Sequence, residues 1–131
     1  MPSIFTRIVN REIPSYTVAE DDFFLAFLDI NPLSKGHTLI VPKKEVDYFF
    51  DVDDDTLAAM MVFSKKVARA IKKTTKCRRV GVAVIGFEVP HAHLHLVPMN
   101  GMGDINFANP KLKLAKEEFE QIANSIKANL A

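Results

Sequence analysis

The run Val89-Pro90-His91-Ala92-His93-Leu94-His95-Leu96-Val97-Pro98 decides how this chain is read. Of the 4 histidines in the chain, all but His37 fall within it, at positions i, i+2 and i+4. Two is the side-chain period of a β-strand. A strand over His91 to Pro98 therefore sets His91, His93 and His95 on one face and Ala92, Leu94 and Leu96 on the other, against a helix. At a rise of roughly 3.3 Å per residue the imidazoles stand about 7 Å apart. A hydrophobic core has a use for one hydrogen-bonded histidine, not for a row of them in strict alternation. Two chemistries fit the row. His-x-His on a strand is a zinc-ligand spacing. A neutral imidazole can also attack phosphorus while its neighbours set its tautomer and stabilise the oxyanion. Spacing alone does not separate them, although the segment contains no cysteine or carboxylate that would complete a metal site.

Working outward, Val80 to Ile85 is β-branched and reads as a strand. Before it lies a long helix starting near Asp53. Asp51, Asp53, Asp54 and Asp55 suit the positive end of its dipole. Leu57, Met60, Met61, Ser64, Val67, Ala68 and Ile71 recur at three- and four-residue steps as its buried face. Lys65, Lys66, Arg69, Lys72 and Lys73 form the solvated face. Ser3 to Val9 reads as a short helix capped by Ser3 and closed by Pro14. Tyr16 to Ala19 and Phe23 to Asp29 are strands joined by Glu20-Asp21-Asp22. Asn31 to Gly36 is loop chemistry, and His37 to Val41 is a strand ended by Pro42. Asn100 to Pro110 is a loop. Leu114 to Leu130 returns to helical spacing, with Phe119, Ile122, Ile126 and Leu130 on one side. Short turns between strands favour antiparallel pairing, so the expected class is α+β.

The chain has 131 residues, with 48% hydrophobic and 25% charged residues, which fits one globular domain over residues 1–131. Lysine plus arginine is 17 and aspartate plus glutamate is 16. This balance gives no reason to expect nucleic acid or an acidic membrane as partner. The longest apolar run, Val80 to Phe87, is about 8 residues against the roughly 20 a membrane helix needs. Arg7 and Arg11 interrupt the N-terminal stretch before a signal peptide could develop, and the lone Cys77 cannot form an internal disulfide. The expectation is a cytoplasmic protein.

His91-Ala92-His93-Leu94-His95-Leu96-Val97, led in by Gly86-x-x-Val89-Pro90, resembles the signature of the histidine-triad (HIT) family. Three further blocks resemble it in order: Ile4-Phe5-x-x-Ile8 with Glu12-Ile13-Pro14, Phe27-Leu28-Asp29-Ile30-Asn31-Pro32, and Lys35-Gly36-His37-Thr38-Leu39-Ile40-Val41-Pro42-Lys43. The resemblance implies a five-stranded antiparallel sheet with one long helix, a short N-terminal and a longer C-terminal helix, and a homodimer. It also implies a purine-nucleotide pocket and attack on the α-phosphorus. His93 resembles the nucleophile that forms a nucleotidyl-histidine intermediate, His95 and His37 its hydrogen-bonding neighbours, and His91 the residue that orients the site. Ile4, Phe5, Ile8, Phe27, Ile30, Leu39, Gly86 and Val89 match nucleotide-contacting positions, and Asp29 matches the ribose-hydroxyl acceptor. The implied substrates are nucleoside 5′-phosphoramidates or other adenosine 5′-monophosphate derivatives, with no cofactor and no metal. Dinucleoside polyphosphate hydrolysis and a non-catalytic nucleotide-binding adaptor are the alternatives.

The chain departs from the family pattern in several places. Ser3 and Thr6 stand where some bacterial members carry a zinc-binding Cys-x-x-Cys, so no structural zinc is expected. Val80 stands where the family often has an asparagine that reaches the phosphate or leaving group. Phe87-Glu88 replaces Gln-Ser or Gln-Thr. There is no tryptophan.

Overall fold

The structure, a computed structural model, describes residues 2–130. Helix α1 (Ile4–Val9) opens under Ser3, whose Oγ accepts the Thr6 N–H at 3.0 Å. Strands β1 (Thr17–Glu20) and β2 (Phe24–Leu28) form a hairpin. Asp21 makes its turn: Oδ1 accepts from the N–H groups of Phe23 and Phe24, each at 2.8 Å. Phe23 is thereby held in the turn, and β2 begins one residue later than its apolar run suggests. Strand β3 (Thr38–Pro42) follows, then a 3-10 turn at Phe49–Asp51 that no local residue pattern announces. The long helix α2 (Asp54–Thr75) starts under Asp53, whose carboxylate accepts the Thr56 N–H. Strands β4 (Arg79–Ala83) and β5 (Leu94–Met99) complete the sheet. A short 3-10 turn (Met102–Ile105) lies in the loop that leads to α3 (Lys116–Ala128).

The sheet is five-stranded in the order β1-β2-β3-β5-β4, with every neighbour antiparallel. It is buried on both faces at its centre, so every residue of β2 and β3 and all of β5 up to Pro98 are buried, and all of these but Thr38 and His95 are apolar. Phe24, Ala26, Leu28, Ile40, Leu94 and Leu96 point to the face covered by α2 and α3, where Met60, Val67, Ile71, Phe119 and Ile126 meet them. Leu25, Phe27, Leu39 and Val41 point to the opposite face, which α1 covers through Phe5. Fully burying one such side chain is worth about 1.5–3 kcal/mol, so this second cluster is what docks the six-residue α1.

Three expectations are corrected. Met61 is 49% exposed and outside the buried stripe of α2, while Ala70 is inside it. At about 100° per residue, Met61 lies a quarter turn from Met60, beyond the edge of the stripe. Val84 and Ile85 do not join β4, which stops at Ala83 opposite His95. The third concerns the triad strand. Its ladder begins at Leu94, because the Ala92 N–H bonds to Val46 O at 2.6 Å and the His91 N–H to Val89 O, outside the sheet. His91 and His93 therefore lie outside the ladder, although both rings still meet Phe5, at 5.9 and 5.0 Å.

Candidate active site

His95 lies in β5 directly opposite Leu39 of β3, so its side chain is on the α1 face of the sheet. His93 precedes β5 on the same side, with ring centroids 5.1 Å apart. His37 reaches this face from the residue before β3. Gly36 makes that entry possible: its φ is +99°, and a Cβ there would lie 2.8 Å from Thr75 Cγ2. All four histidines are at least nine-tenths buried, and among the described residues no buried side-chain nitrogen or oxygen lacks a hydrogen-bond partner.

The partners fix every tautomer. The Leu33 N–H can only donate, and it donates to His37 Nδ1 at 3.0 Å. The neutral His37 ring thus carries its proton on Nε2, which donates to His95 Nδ1 at 2.9 Å. His95 in turn carries its proton on Nε2, free to donate into the cleft. His93 is set the other way round. Its Nδ1–H donates to the backbone oxygen of His91 at 2.7 Å, leaving a lone pair on Nε2. His91 uses both nitrogens on the protein: Nε2–H donates to Pro42 O and Nδ1 accepts from Ser3 Oγ, each at 2.7 Å. The site therefore presents one acceptor imidazole, His93, beside one donor imidazole, His95. Burial keeps the pair of donors neutral. It pushes His37 down to about 4 and His95 to about 3, helped for His95 by its imidazole neighbours. Burial likewise lowers His91, and it raises the Asp29 carboxyl.

These groups open onto a cleft of about 240 Å³ between α1, the ends of β2 and β3, and the segment before β5. Ile4, Phe5, Ile8, Phe27, Leu39 and Val89 supply apolar walls, while His93, His95 and Asp29 supply the polar end. Phe5 meets the His93 ring edge to face at 5.0 Å. Asp29 Oδ1 accepts the Asn31 N–H, leaving the other oxygen 3.6 Å from His37 Nε2. Of the residues expected at the nucleotide, Ile30 also lines the cleft. Gly86 does not. It is exposed, with φ +84° and nothing within 4 Å of where a Cβ would be, so it serves the turn rather than the pocket. Val80 is corrected too. It pairs with Pro98 on the helix-facing side of β5, so a side chain there packs on the core and cannot reach the cleft. Glu88, by contrast, lines the mouth.

The sequence reading missed Ile13, Pro14, Ser15 and Asn31 as cleft walls, and Phe107, whose ring lies 4.7 Å from that of His95. It also missed Glu45. The only sequence signal for Phe107 is a single aromatic residue in a Gly- and Asn-rich loop, and for Glu45 there is none.

Two sets of side chains lie close enough together to be weighed against a metal ion. Asp29, His37 and His95 each bring one ligand atom within 4.8 Å of the others. But His37 Nε2 bears the proton that bonds to His95 Nδ1, so neither nitrogen has a lone pair to spare. Ser3, Thr6, Glu45 and His91 form the second set. It offers two hydroxyls where structural zinc takes thiolates, and those hydroxyls are already spent on Glu45 and His91.

An acceptor histidine and a donor histidine thus stand side by side on an antiparallel sheet, beside an apolar slot with Asp29 at its polar end. Residues 10–102 match the HIT domain, and the chain belongs to the HIT family. An uncharacterized HIT-like protein of Borreliella burgdorferi is 36% identical over 97% of both chains. The adenosine 5′-monophosphoramidase of Schizosaccharomyces pombe is 32% identical over 99% of both. The crystal structure of a Hit-like protein of Bartonella henselae, described as involved in cell-cycle regulation, superposes with a TM-score of 0.85 at 33% identity. It covers 97% of this chain and 95% of that one.

Proposed function

We propose that the protein is a metal-independent nucleotide hydrolase or transferase acting at the α-phosphorus of adenosine 5′-monophosphate derivatives, foremost nucleoside 5′-phosphoramidates. The observation that carries this reading is the His93 tautomer: Nδ1–H held on His91 O, with the Nε2 lone pair left for attack. His93 Nε2 forms a bond to phosphorus as the bond to the leaving amine breaks, and the amine departs with a solvent proton. The His95 Nε2–H donates to a phosphoryl oxygen where charge gathers. The His91 carbonyl stabilises the positive charge on the nucleotidyl-His93 ring. Water then attacks phosphorus, the bond to His93 breaks, and the monophosphate leaves. The apolar slot suits a flat purine, and Asp29 suits a ribose diol. The assay is hydrolysis of a fluorogenic adenosine phosphoramidate with excess chelator. Release of adenosine 5′-monophosphate supports the reading. Binding of the nucleotide without turnover supports a non-catalytic adaptor instead, and activity lost with a chelated metal contradicts the mechanism.

Glu88 favours phosphoramidates over dinucleoside polyphosphates, because it adds negative charge at the mouth where a polyphosphate would run. A carboxylate ~4 Å from a phosphate charge costs on the order of 1 kcal/mol in water. Glu88→Ser exchanges that repulsion for a hydroxyl donor and is expected to raise turnover or nucleotide affinity about tenfold. Unchanged kinetics in the folded variant would remove the repulsion argument.

The active species is proposed to be a homodimer. Strand β4 is an outer strand of the sheet, and Val82, Val84 and Ile85 are exposed beside its open edge. A bare edge with apolar flanks is stable when a second copy pairs with it. Light scattering at micromolar concentration is expected to give twice the chain mass, and a monomer would contradict the pairing.

A further inference from the structure

We infer that Glu45 is a positioning residue for the nucleophile, acting through α1 and His91; this rests on the proposed role of His93. Glu45 lies in the segment after β3, and its side chain is 37% exposed, a setting in which a carboxylate is usually left to solvent. Here Oε1 takes two bonds from the start of α1: the Ser3 N–H and the Thr6 hydroxyl, both at 2.6 Å. The same two residues face His91. Ser3 Oγ donates to its Nδ1 at 2.7 Å, and Thr6 Oγ1 lies 3.3 Å from that nitrogen. His91 then passes the constraint on, because its backbone oxygen holds the His93 Nδ1–H.

The arrangement does two things at once. It pins α1, a helix too short to hold itself, and α1 carries the Phe5 ring that stands on His93 and the Ile4 and Ile8 side chains of the cleft. It also spends the Thr6 proton on the carboxylate. The Ser3 hydroxyl is left to donate to His91 Nδ1, which keeps the His91 proton on Nε2 and the ring on Pro42 O. Glu45 touches no part of the cleft, so its effect on chemistry must run through these partners.

The test compares Glu45→Ala, Glu45→Gln and Thr6→Val with the natural protein. The readouts are ring ¹⁵N shifts of labelled histidines, affinity for adenosine 5′-monophosphate by calorimetry, KM and kcat, and the thermal midpoint. Glu45→Ala is expected to weaken nucleotide affinity about tenfold, raise KM alike, and release the His91 ring into a mixture of tautomers. Glu45→Gln keeps an oxygen that can accept both bonds and is expected to recover affinity to within about threefold. Thr6→Val removes one arm without shortening the side chain and is expected to shift the His91 ring signals in the same sense. A folded Glu45→Ala protein with unchanged ring shifts and affinity overturns the inference, as does Glu45→Gln behaving like Glu45→Ala. If Glu45→Ala does not fold, unchanged ring shifts in Thr6→Val overturn it. The ring shifts need neither ligand nor turnover. A natural protein that neither binds nor hydrolyses nucleotides would sink the proposed function while leaving this test intact.

Discussion

His93→Ala and His93→Asn are each expected to cut turnover of an adenosine phosphoramidate by about four orders of magnitude or more, while nucleotide binding and folding survive. The size follows from what is removed. No other imidazole has a free lone pair at the reacting end of the cleft: His95 presents a proton, and His37 and His91 are occupied by protein partners. Water attacking directly would lack the covalent route altogether. Binding is spared because the apolar walls and Asp29 are untouched. Asparagine is the sharper of the two variants, since its amide can still donate to the His91 oxygen and so keep the local backbone in place. Single-turnover mixing followed by intact-mass measurement should find an adenylate on the natural chain and none on either variant. Normal turnover in His93→Asn would refute the covalent mechanism.

His95→Ala is the second large effect, an expected loss of about 10²–10³-fold in kcat with little change in KM, the size seen when one aimed oxyanion donor is removed. The donor matters more in the transition state than in the ground state, because charge on the phosphoryl oxygens rises as the new bond forms. The same substitution has a stability signature. His37 and His95 stay neutral in the fold well below the ordinary value of 6.5, whereas in the unfolded chain they take up protons as pH falls through it. Their contribution is thus complete above about pH 6.5 and is lost progressively as pH drops toward 4. For His37 alone the loss is on the order of 3 kcal/mol. Denaturant unfolding of the natural protein should weaken steeply between pH 7 and pH 5. The His95→Ala protein should show a shallower slope, because one of the two groups is gone. Equal slopes would mean that these imidazoles are not held neutral by burial.

Much of this was legible from residue types. Alternation placed Leu94 and Leu96 on the core side and His93 and His95 on the other, since parity survives even where strand ends shift. Parity also explains one failure. Val80 occupies a position at which the family resemblance suggests a phosphate contact, but its register opposite Pro98 turns it into the core. His91 escaped the strand for a reason invisible to periodicity: the Ala92 N–H found Val46, far away in sequence, before the ladder could claim it. Met61 failed on angle, because a three- and four-residue count does not mark where an apolar stripe ends. Glu45 and Phe107 act across loops. Nothing local distinguishes a carboxylate that caps a distant helix from one in water, or an aromatic residue that lids a histidine from one in a turn. The tautomers were unreadable as well, being settled by main-chain partners such as the Leu33 amide and the His91 and Pro42 carbonyls.

The Leu33 amide has a consequence for ligand design. A main-chain N–H does not ionise in the working pH range, so the direction of the Leu33–His37–His95 relay is built into the backbone. The cleft accordingly has a fixed handedness of demand: an acceptor wanted at His95 and an electron-poor centre wanted at His93, with ring centres 5.1 Å apart. On the proposed function, a nucleoside bearing an electrophile flanked by an oxygen satisfies both at once, and the same groups in reversed order face two mismatches. A pair of regioisomeric inhibitors would therefore read out the polarity of the site without any turnover at all.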